Sequence, residues 1–524
     1  MPRSRRTFLA GAGGLVLASA TGSAGAAFAK GDNRRPSLSG GRFAEGVLSG
    51  DPTPRGITLW TRVADVEGAG TVELEVARDR GFRRVVAREF IRTSGRTDHS
   101  VKARVGGLKP YEQYFYRFST RGENSTVGRF RTGLPPDSRQ PVRFAFFSCQ
   151  EYTFGYFNAH NLLVEEDIDF VVNLGDYIYA EAYYRPGDSF AGVRVDPIGF
   201  AETLDQYRAK YKLYRTEAPL RRMHASFPMI SIWDDHEVQD NYAGGAGPTG
   251  GLAPELRYTQ RRRAAAYRAY FESMPTYPVK GDSRIYRAVR FGRNVDLILL
   301  DQRQYRADQP CGDAQVGPPC PELDQPRRFL GARQMDFLKK RLSSSRAAWK
   351  VVANQVMIMP TIYPGGDYIG FDFWQGYPQE RRELLEHIRR RRVKDVVFVT
   401  GDIHTFVAGD VRVNNTDTVP VATEFVAGSI TSPGLGEGGG GVLPGANPAD
   451  PQTPESIIDL LRSSNPWAVD ADFDHHGYGL VTASDKSFKC TFRRVDSVKR
   501  RSRTALPDNR FTYRIGRGRP SLLD

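Results

Sequence analysis

Four short apolar runs along this chain share one design. Phe144 to Phe147 precedes Cys149, Phe170 to Leu174 precedes Asp176, Met229 to Trp233 precedes Asp235, and Val396 to Thr400 precedes Asp402. A mostly hydrophobic stretch of this length, rich in Val, Ile and Phe, is the pattern of a strand buried on both faces. Between and after these runs the period changes, and helices are expected near 200–215, 255–273, 333–345 and 378–391, with paired strands over Ile285 to Arg306. This alternation favours an α/β sandwich with two packed mixed sheets.

Upstream the pattern differs. From about Phe43 to Thr132 only short strands and turns are expected, at Gly56 to Val63, Thr71 to Ala77, Ser100 to Val105, Tyr114 to Ser119 and Thr126 to Thr132. The stretch Leu108-Lys109-Pro110-Tyr111-Glu112-Gln113-Tyr114 resembles the tyrosine-corner region of fibronectin type III modules, where a phenol ties a strand back to the preceding loop. The expected organisation is therefore an immunoglobulin/fibronectin-III-like β-sandwich over 40–134, the Gly133 to Asp137 linker, and an α/β catalytic domain over 140–524. The sandwich is read as a module that braces the catalytic domain, with a docking module as the alternative.

Ser4-Arg5-Arg6-Thr7-Phe8-Leu9, followed by a weakly apolar Ala/Gly/Leu/Val stretch, matches a twin-arginine export signal, with cleavage expected after Ala29. That assigns 1–29 to a signal peptide, names the twin-arginine export machinery as a partner, and points to an extracytoplasmic product. No stretch is long and apolar enough for a transmembrane helix. Loss of Arg3, Arg5 and Arg6 lowers the formal charge from +14 to +11. The basic clusters at Arg261 to Arg263, Arg389 to Arg392 and Lys499 to Arg501 read as solvated faces, and no nucleic-acid-binding motif accompanies them. Cys311 and Cys320 are expected to close a loop as a disulfide after export, and Cys490 to be a small buried hydrophobe.

Ligands collect outside the carboxyl ends of strands in layered α/β proteins, so the four run ends point to one place. Cys149 as thiolate, Tyr179 as phenolate, Asp176 as carboxylate and His404 as imidazole would surround one ion with three anionic donors, which favours ferric iron. The remaining hard oxygens of Asp235, Asp402 and Asp176 suit calcium, magnesium or manganese.

Gly175-Asp176-Tyr177-Ile178-Tyr179 stands as in purple acid phosphatases, but Ser148-Cys149-Gln150 replaces the usual Asp-x-His, and Asp235 replaces the usual Asn. Asn354-Gln355 falls where a later His is usual, and Asp402 where the first His of the last motif is usual. In these joint departures the chain resembles the PhoD-type alkaline phosphatase family from about residue 40 to its end. The resemblance implies a metallophosphoesterase-like α/β/β/α sandwich, Fe(3+) with two Ca(2+), and hydrolysis of phosphate mono- and diesters by metal-activated hydroxide for phosphate scavenging. It implies Cys149, Asp176, Tyr179 and His404 on the iron side and Asp176, Asp235 and Asp402 on the calcium side. Asn354 is a further oxygen candidate, Asp234 a supporting partner, His236 the group beside the leaving oxygen, and Arg303 a phosphoryl clamp. A monomer is expected. Two other readings stay open: a dedicated phosphodiesterase or phospholipase-D-like enzyme, and a non-catalytic cell-wall-binding protein.

Overall fold

Two mixed sheets stacked face to face carry the parallel strands whose ends the sequence singles out. In the computed structural model residues 36–184, 192–245, 258–279, 282–437, 459, 462–507 and 511–522 are described; the expected signal peptide and the glycine run beyond Glu437 lie outside them. The first sheet runs, edge to edge, Thr512–Gly516, Ser487–Arg494, Gly477–Ala483, Val142–Phe147, Phe170–Asn173, Pro228–Ser231, Val47–Thr53, Gly56–Arg62 and Ser100–Val105. The second runs Arg287–Phe291, Val295–Leu299, Trp349–Asn354, Val396–Thr400, Ala422–Val426, Phe406–Val411 and Ala468–Asp472. In each, the central neighbours are parallel.

Alternation along the second sheet builds the layers. Leu297, Leu299, Val351, Ala353, Val397 and Val399 join Phe144 and Phe170 of the first sheet in one apolar cluster. Ile298, Leu300, Val352, Val396 and Phe398 face the other way, onto the helices Ala332–Ser344 and Pro378–Arg390. A period of two is what a strand covered on both faces requires. Phe170 locks the layers together, its ring stacked on Phe291 of the opposing sheet at 4.1 Å.

Register then levels the strand ends. Phe147 pairs with Asn173 and Asn173 with Ser231, while Asn354 pairs with Thr400 and Thr400 with Val426. Residues just beyond these positions emerge at one height in both sheets.

The four helices expected from periodicity form at Leu204–Tyr214, Gln260–Ser273, Ala332–Ser344 and Pro378–Arg390. The short helix Ala218–Ser226, opening on Pro219, was not expected, because nine residues carry too few repeats to read. Near the amino terminus a four-stranded sheet runs Val85–Ser94, Ala69–Ala77, Gln113–Ser119 and Gly128–Arg131. Its facing layer is supplied by Val47–Thr53, Gly56–Arg62 and Ser100–Val105, which continue the large sheet. Val47, Leu59 and Val101 pack there against Val72, Leu74 and Tyr116. Lys109 N donates to Tyr114 Oη at 3.0 Å, the expected tie to the preceding loop. Val85–Ser94 escaped the sequence reading because this edge strand is half-buried and carries Arg88, Glu89 and Arg92.

Other expectations need revision. Near the carboxyl end Thr512–Gly516 is an edge strand bonded to Ser487–Arg494, neither a lid nor a loose tail. Arg262 belongs to no solvated face; it is buried, donating to Gln239 and Tyr207. Cys311 and Cys320 form the expected disulfide, and Cys149 and Cys490 are free and buried.

A buried ionic knot joins the amino-terminal strands to the helices. Glu45 receives Arg62 Nη1 at 3.0 Å and Arg215 Nη1 at 3.1 Å, and Arg215 Nη2 donates to the Ser273 carbonyl at 2.6 Å. Glu45→Ala leaves two buried guanidinium groups without their carboxylate and is expected to cost about 3–5 kcal/mol. Urea unfolding measures it, and an unchanged midpoint would mean the knot carries no stability.

Candidate metal centre

Each strand end turns sharply, and the turns explain why these residues meet. Cys149, Asp176, Asp402 and His404 all adopt positive φ, at 56°, 52°, 70° and 58°. For residues with a Cβ this region costs about 1–2 kcal/mol each, and such strain persists only where surroundings over-determine it. The hydrogen-bond ladders supply that: Leu174 N reaches Phe147 O at 2.9 Å, Gln150 N reaches Asp176 O at 3.1 Å, and Gly401 N reaches Gln355 O at 3.1 Å. At Gly175, with φ 118°, a Cβ would lie 2.4 Å from Asp234 Cβ and 2.7 Å from Asp234 N. Only glycine lets the two sequence motifs approach this closely. Glu237 then fastens them, accepting from Asp234 N at 2.8 Å, Tyr177 N at 2.7 Å and Asp176 N at 3.1 Å. Burial pushes its carboxyl up to about 8 despite these three donors.

Around Asp176 the donors gather. Its Oδ2 lies 3.3 Å from Cys149 Sγ and 3.4 Å from Tyr179 Oη. Tyr179 Oη is 3.3 Å from His404 Nε2 and 2.6 Å from Ser432 Oγ. His404 turns Nδ1 to the Pro433 carbonyl at 3.0 Å, and burial lowers its pKa to about 4, so Nε2 keeps a lone pair as a neutral ligand does. The ligand atoms of Cys149, Asp176 and His404 lie within 4.8 Å of one another, as do those of Asp234, Asp235 and Asp402, and those of Asp176, Asp235 and His236. Asp176 and Asp235 are thus shared between adjoining sets.

The charge is unbalanced. Burial, then Asp235, pushes Asp176 well above the carboxylate range; burial, then Asp234 and Asp372, does so for Asp402. Cys149 and Tyr179 are likewise pushed well above their usual values by burial and by Asp176. Asp235 Oδ1 is buried without a hydrogen-bond partner. Crowded acids that resist ionisation and an orphaned carboxylate oxygen are what a cation site presents before charge is supplied. These residues fit metal ions.

Two expected residues act differently. Arg303 is no free phosphoryl clamp: wholly buried, it pairs through Nε with Asp234 and through Nη1 and Nη2 with Asp372, both at 2.8 Å, and Nη2 stands 3.5 Å from Asp235 and 3.6 Å from Asp402. It balances part of the acidic charge. Asn354 has no lone pair to give, because its Oδ1 accepts from Gln302 Nε2 and from Trp374 Nε1 at 3.0 Å.

His236 stacks on Tyr179 with ring centroids 3.9 Å apart, and its Nδ1 meets Glu181 Oε2 at 2.8 Å. Burial acts to lower its pKa, but Asp235, Asp176 and Glu181 outweigh it and hold the imidazole well above 6.5. Its Nε2 side faces Asp240 Oδ1 at 4.0 Å. Asp176, Asp235, His236, Asp402 and His404 line one open cleft.

The sequence reading passed over Glu181, Glu237, Asp372 and Ser432. Glu181 and Glu237 adjoin the motifs, and acidic neighbours of ligands were the available signal. Asp372 and Ser432 carried none.

Family models fix what this arrangement belongs to. The model for PhoD-like phosphatases matches residues 144–492, and that for the PhoD-like phosphatase N-terminal domain matches 28–134. The chain belongs to the PhoD-like phosphatase family. Alkaline phosphatase D of Bacillus subtilis (strain 168) is 35% identical over 514 residues, covering 93% of this chain and 84% of that protein. A solved structure of PhoD superposes with a TM-score of 0.80 at 31% identity, covering 92% of this chain and 91% of the other. A purple acid phosphatase from yellow lupin (Lupinus luteus) gives 0.55 at 14% identity over 91% and 75%, a likeness of fold alone. Membership of the PhoD-like phosphatases makes the chain a phosphoesterase on the metallophosphoesterase sandwich anticipated from its motifs.

Gly175→Ala is expected to destabilise the fold by about 2–4 kcal/mol, from left-handed strain plus the clash with Asp234. Denaturant titration reads it; a loss under ~0.5 kcal/mol, the range of ordinary surface changes, would refute the close approach.

Proposed function

We propose that this chain is a secreted alkaline phosphatase with phosphodiesterase capacity, acting on phosphate mono- and diesters outside the cytoplasm. The observation that carries the reading is the meeting of thiol, phenol, carboxylate and neutral imidazole at Cys149, Tyr179, Asp176 and His404, beside the carboxylates of Asp235 and Asp402. A soft sulfur and a phenolic oxygen on one ion favour ferric iron, and the all-oxygen side favours calcium. Cys149, Asp176, Tyr179 and His404 would hold iron, and Asp176, Asp235 and Asp402, with Asp234 beside them, two calcium ions. Such ions, when bound, supply positive charge to phosphoryl oxygens and lower the pKa of water from ~15.7 towards neutrality.

The remaining work falls to side chains. His236, held towards its protonated form by Asp235, Asp176 and Glu181, would give a proton to the departing alkoxide, while Glu181 and the Tyr179 ring fix its orientation. Glu237 holds the two motif backbones in register, and Arg303 keeps Asp234 and Asp372 apart from one another's charge. Ser432 Oγ, 3.0 Å from the Cys149 carbonyl and 2.6 Å from the Tyr179 phenol, aligns both iron-side residues. Export by the twin-arginine route, which moves folded proteins, fits a centre loaded with metal before translocation, and among the described residues no helix is long and apolar enough to cross a membrane.

Elemental analysis of the purified protein is expected to find iron and calcium together, and Tyr179→Phe to lose visible absorption together with most turnover. Zinc or manganese alone, or an unchanged spectrum in an active variant, would overturn the ligand assignment. Because Glu181 favours the protonated imidazole, Glu181→Gln lowers the pKa of His236. Turnover should then fall at a lower pH on the alkaline side than in the wild type. An alkaline limb that stays in place would remove His236 from the proton path.

A further inference from the structure

The wall of the catalytic cleft includes one acid that the metal centre does not use. Cys311, Gly312 and Asp313 follow one another at positive φ, 59°, 66° and 56°, in a loop closed by the disulfide to Cys320. Val316–Gly317 pairs with Tyr368–Ile369, Gly370 N donates to the Gln315 carbonyl at 2.7 Å, and Arg327 links Glu322 to the Asp308 carbonyl at 2.6 and 2.7 Å. Strain in two residues that carry a Cβ, held by so many ties, is the mark of a loop shaped to present something. What it presents is the Asp313 carboxylate, 8% exposed and lining the cleft. Among the described residues this side chain has no hydrogen-bond or ion-pair partner.

A buried carboxylate without a counter-charge is costly. Burial, followed by Asp372 and Asp240, pushes Asp313 up to about 8, and the nearby Arg306 and Arg303 are already committed to Asp372. Asp313 belongs to none of the three sets of clustered ligand atoms, and a lone carboxylate does not make a metal site. Above about pH 8 the carboxylate is ionised, and an organic cation entering the cleft would meet it. Among the described residues lining the cleft there is no lysine or arginine, whereas Asp240, Phe371 and Phe373 line it beside Asp313. Carboxylate and aromatic groups together are the surroundings that alkylammonium ions select.

Resting on the phosphoesterase reading above, we propose that Asp313 is a specificity-determining residue that seats an alkylammonium group of the substrate, so that phosphodiesters of amino alcohols are the favoured class. The test compares two esters of equal shape, 4-nitrophenyl phosphocholine and 4-nitrophenyl 3,3-dimethylbutyl phosphate, on the full metal-loaded chain. The wild type is expected to favour the cationic ester in kcat/KM by about tenfold, the size of one charge-assisted contact. In Asp313→Asn that ratio should fall towards one through a raised KM for the cationic ester. A wild-type ratio near one, which needs no variant to fold, overturns the assignment, as does an undiminished ratio in Asp313→Asn. Turnover of neither ester by the metal-loaded wild type would instead sink the phosphoesterase reading, and the assignment with it.

Discussion

Negative charge packed below the surface is the constraint around which this molecule is arranged. Asp176, Asp234, Asp235, Asp372 and Asp402 stand near Cys149 and Tyr179 with Arg303 and Arg306 as buried cations beside them. Taking carboxylates out of water costs several kcal/mol apiece unless opposite charge repays it. The guanidinium groups of Arg303 and Arg306, with the His236 imidazole beside them, do not balance five acids, and the upward displacement of Asp176, Asp402, Cys149 and Tyr179 records the deficit. On the proposed reading, stability and catalysis would draw on the same added positive charge. Crowding of this kind favours cations over any neutral occupant.

Holding those acids in place is the task of the rigid parts. The paired ends of parallel strands set the height of the ligands, and the left-handed residues that follow redirect each side chain within one or two positions. Two sheets stitched by aromatic stacking such as Phe170 on Phe291 resist the repulsion that the acids generate. Glu237 contributes from the other direction, drawing three backbone amides of separate motifs onto one carboxylate. The amino-terminal sandwich shares three strands with the large sheet and is knotted to the helices through Glu45, so it braces the catalytic layers as part of their own hydrogen-bond ladder.

The cleft wall obeys a different rule. Near the ligands, acids are clustered and shared. At the disulfide loop the Asp313 carboxylate stands outside the three clustered sets, presented by its own strained turn yet close enough to Asp372 and Asp240 to feel their charge. Clustering suits inorganic ions with several coordination positions, and a place outside the clusters suits one extended organic cation. The same residue type thus serves two ends according to how many neighbours the backbone allows it.

Much of this was legible in the linear chain because the relevant signals are local. A buried strand announces itself by a mostly apolar run, and a candidate ligand by standing just after it, so Cys149, Asp176, Tyr179, Asp235, Asp402 and His404 could be named as candidates from order alone, and the fold brings them together. The helix at Pro378–Arg390 and the loop disulfide were equally local. Residues whose meaning comes from what approaches them were not legible. Arg303 looked like a loop arginine until burial surrounded it with acids, and Asn354 looked like a ligand until Gln302 and Trp374 took its oxygen. Val85–Ser94 read as polar because half its surface meets solvent. Sequence by itself determined which atoms could bind a metal, since that is chemistry carried by each residue. Only the tertiary structure decided which of those atoms share a charge, because electrostatic energy depends on distance and burial, and neither is written along the chain.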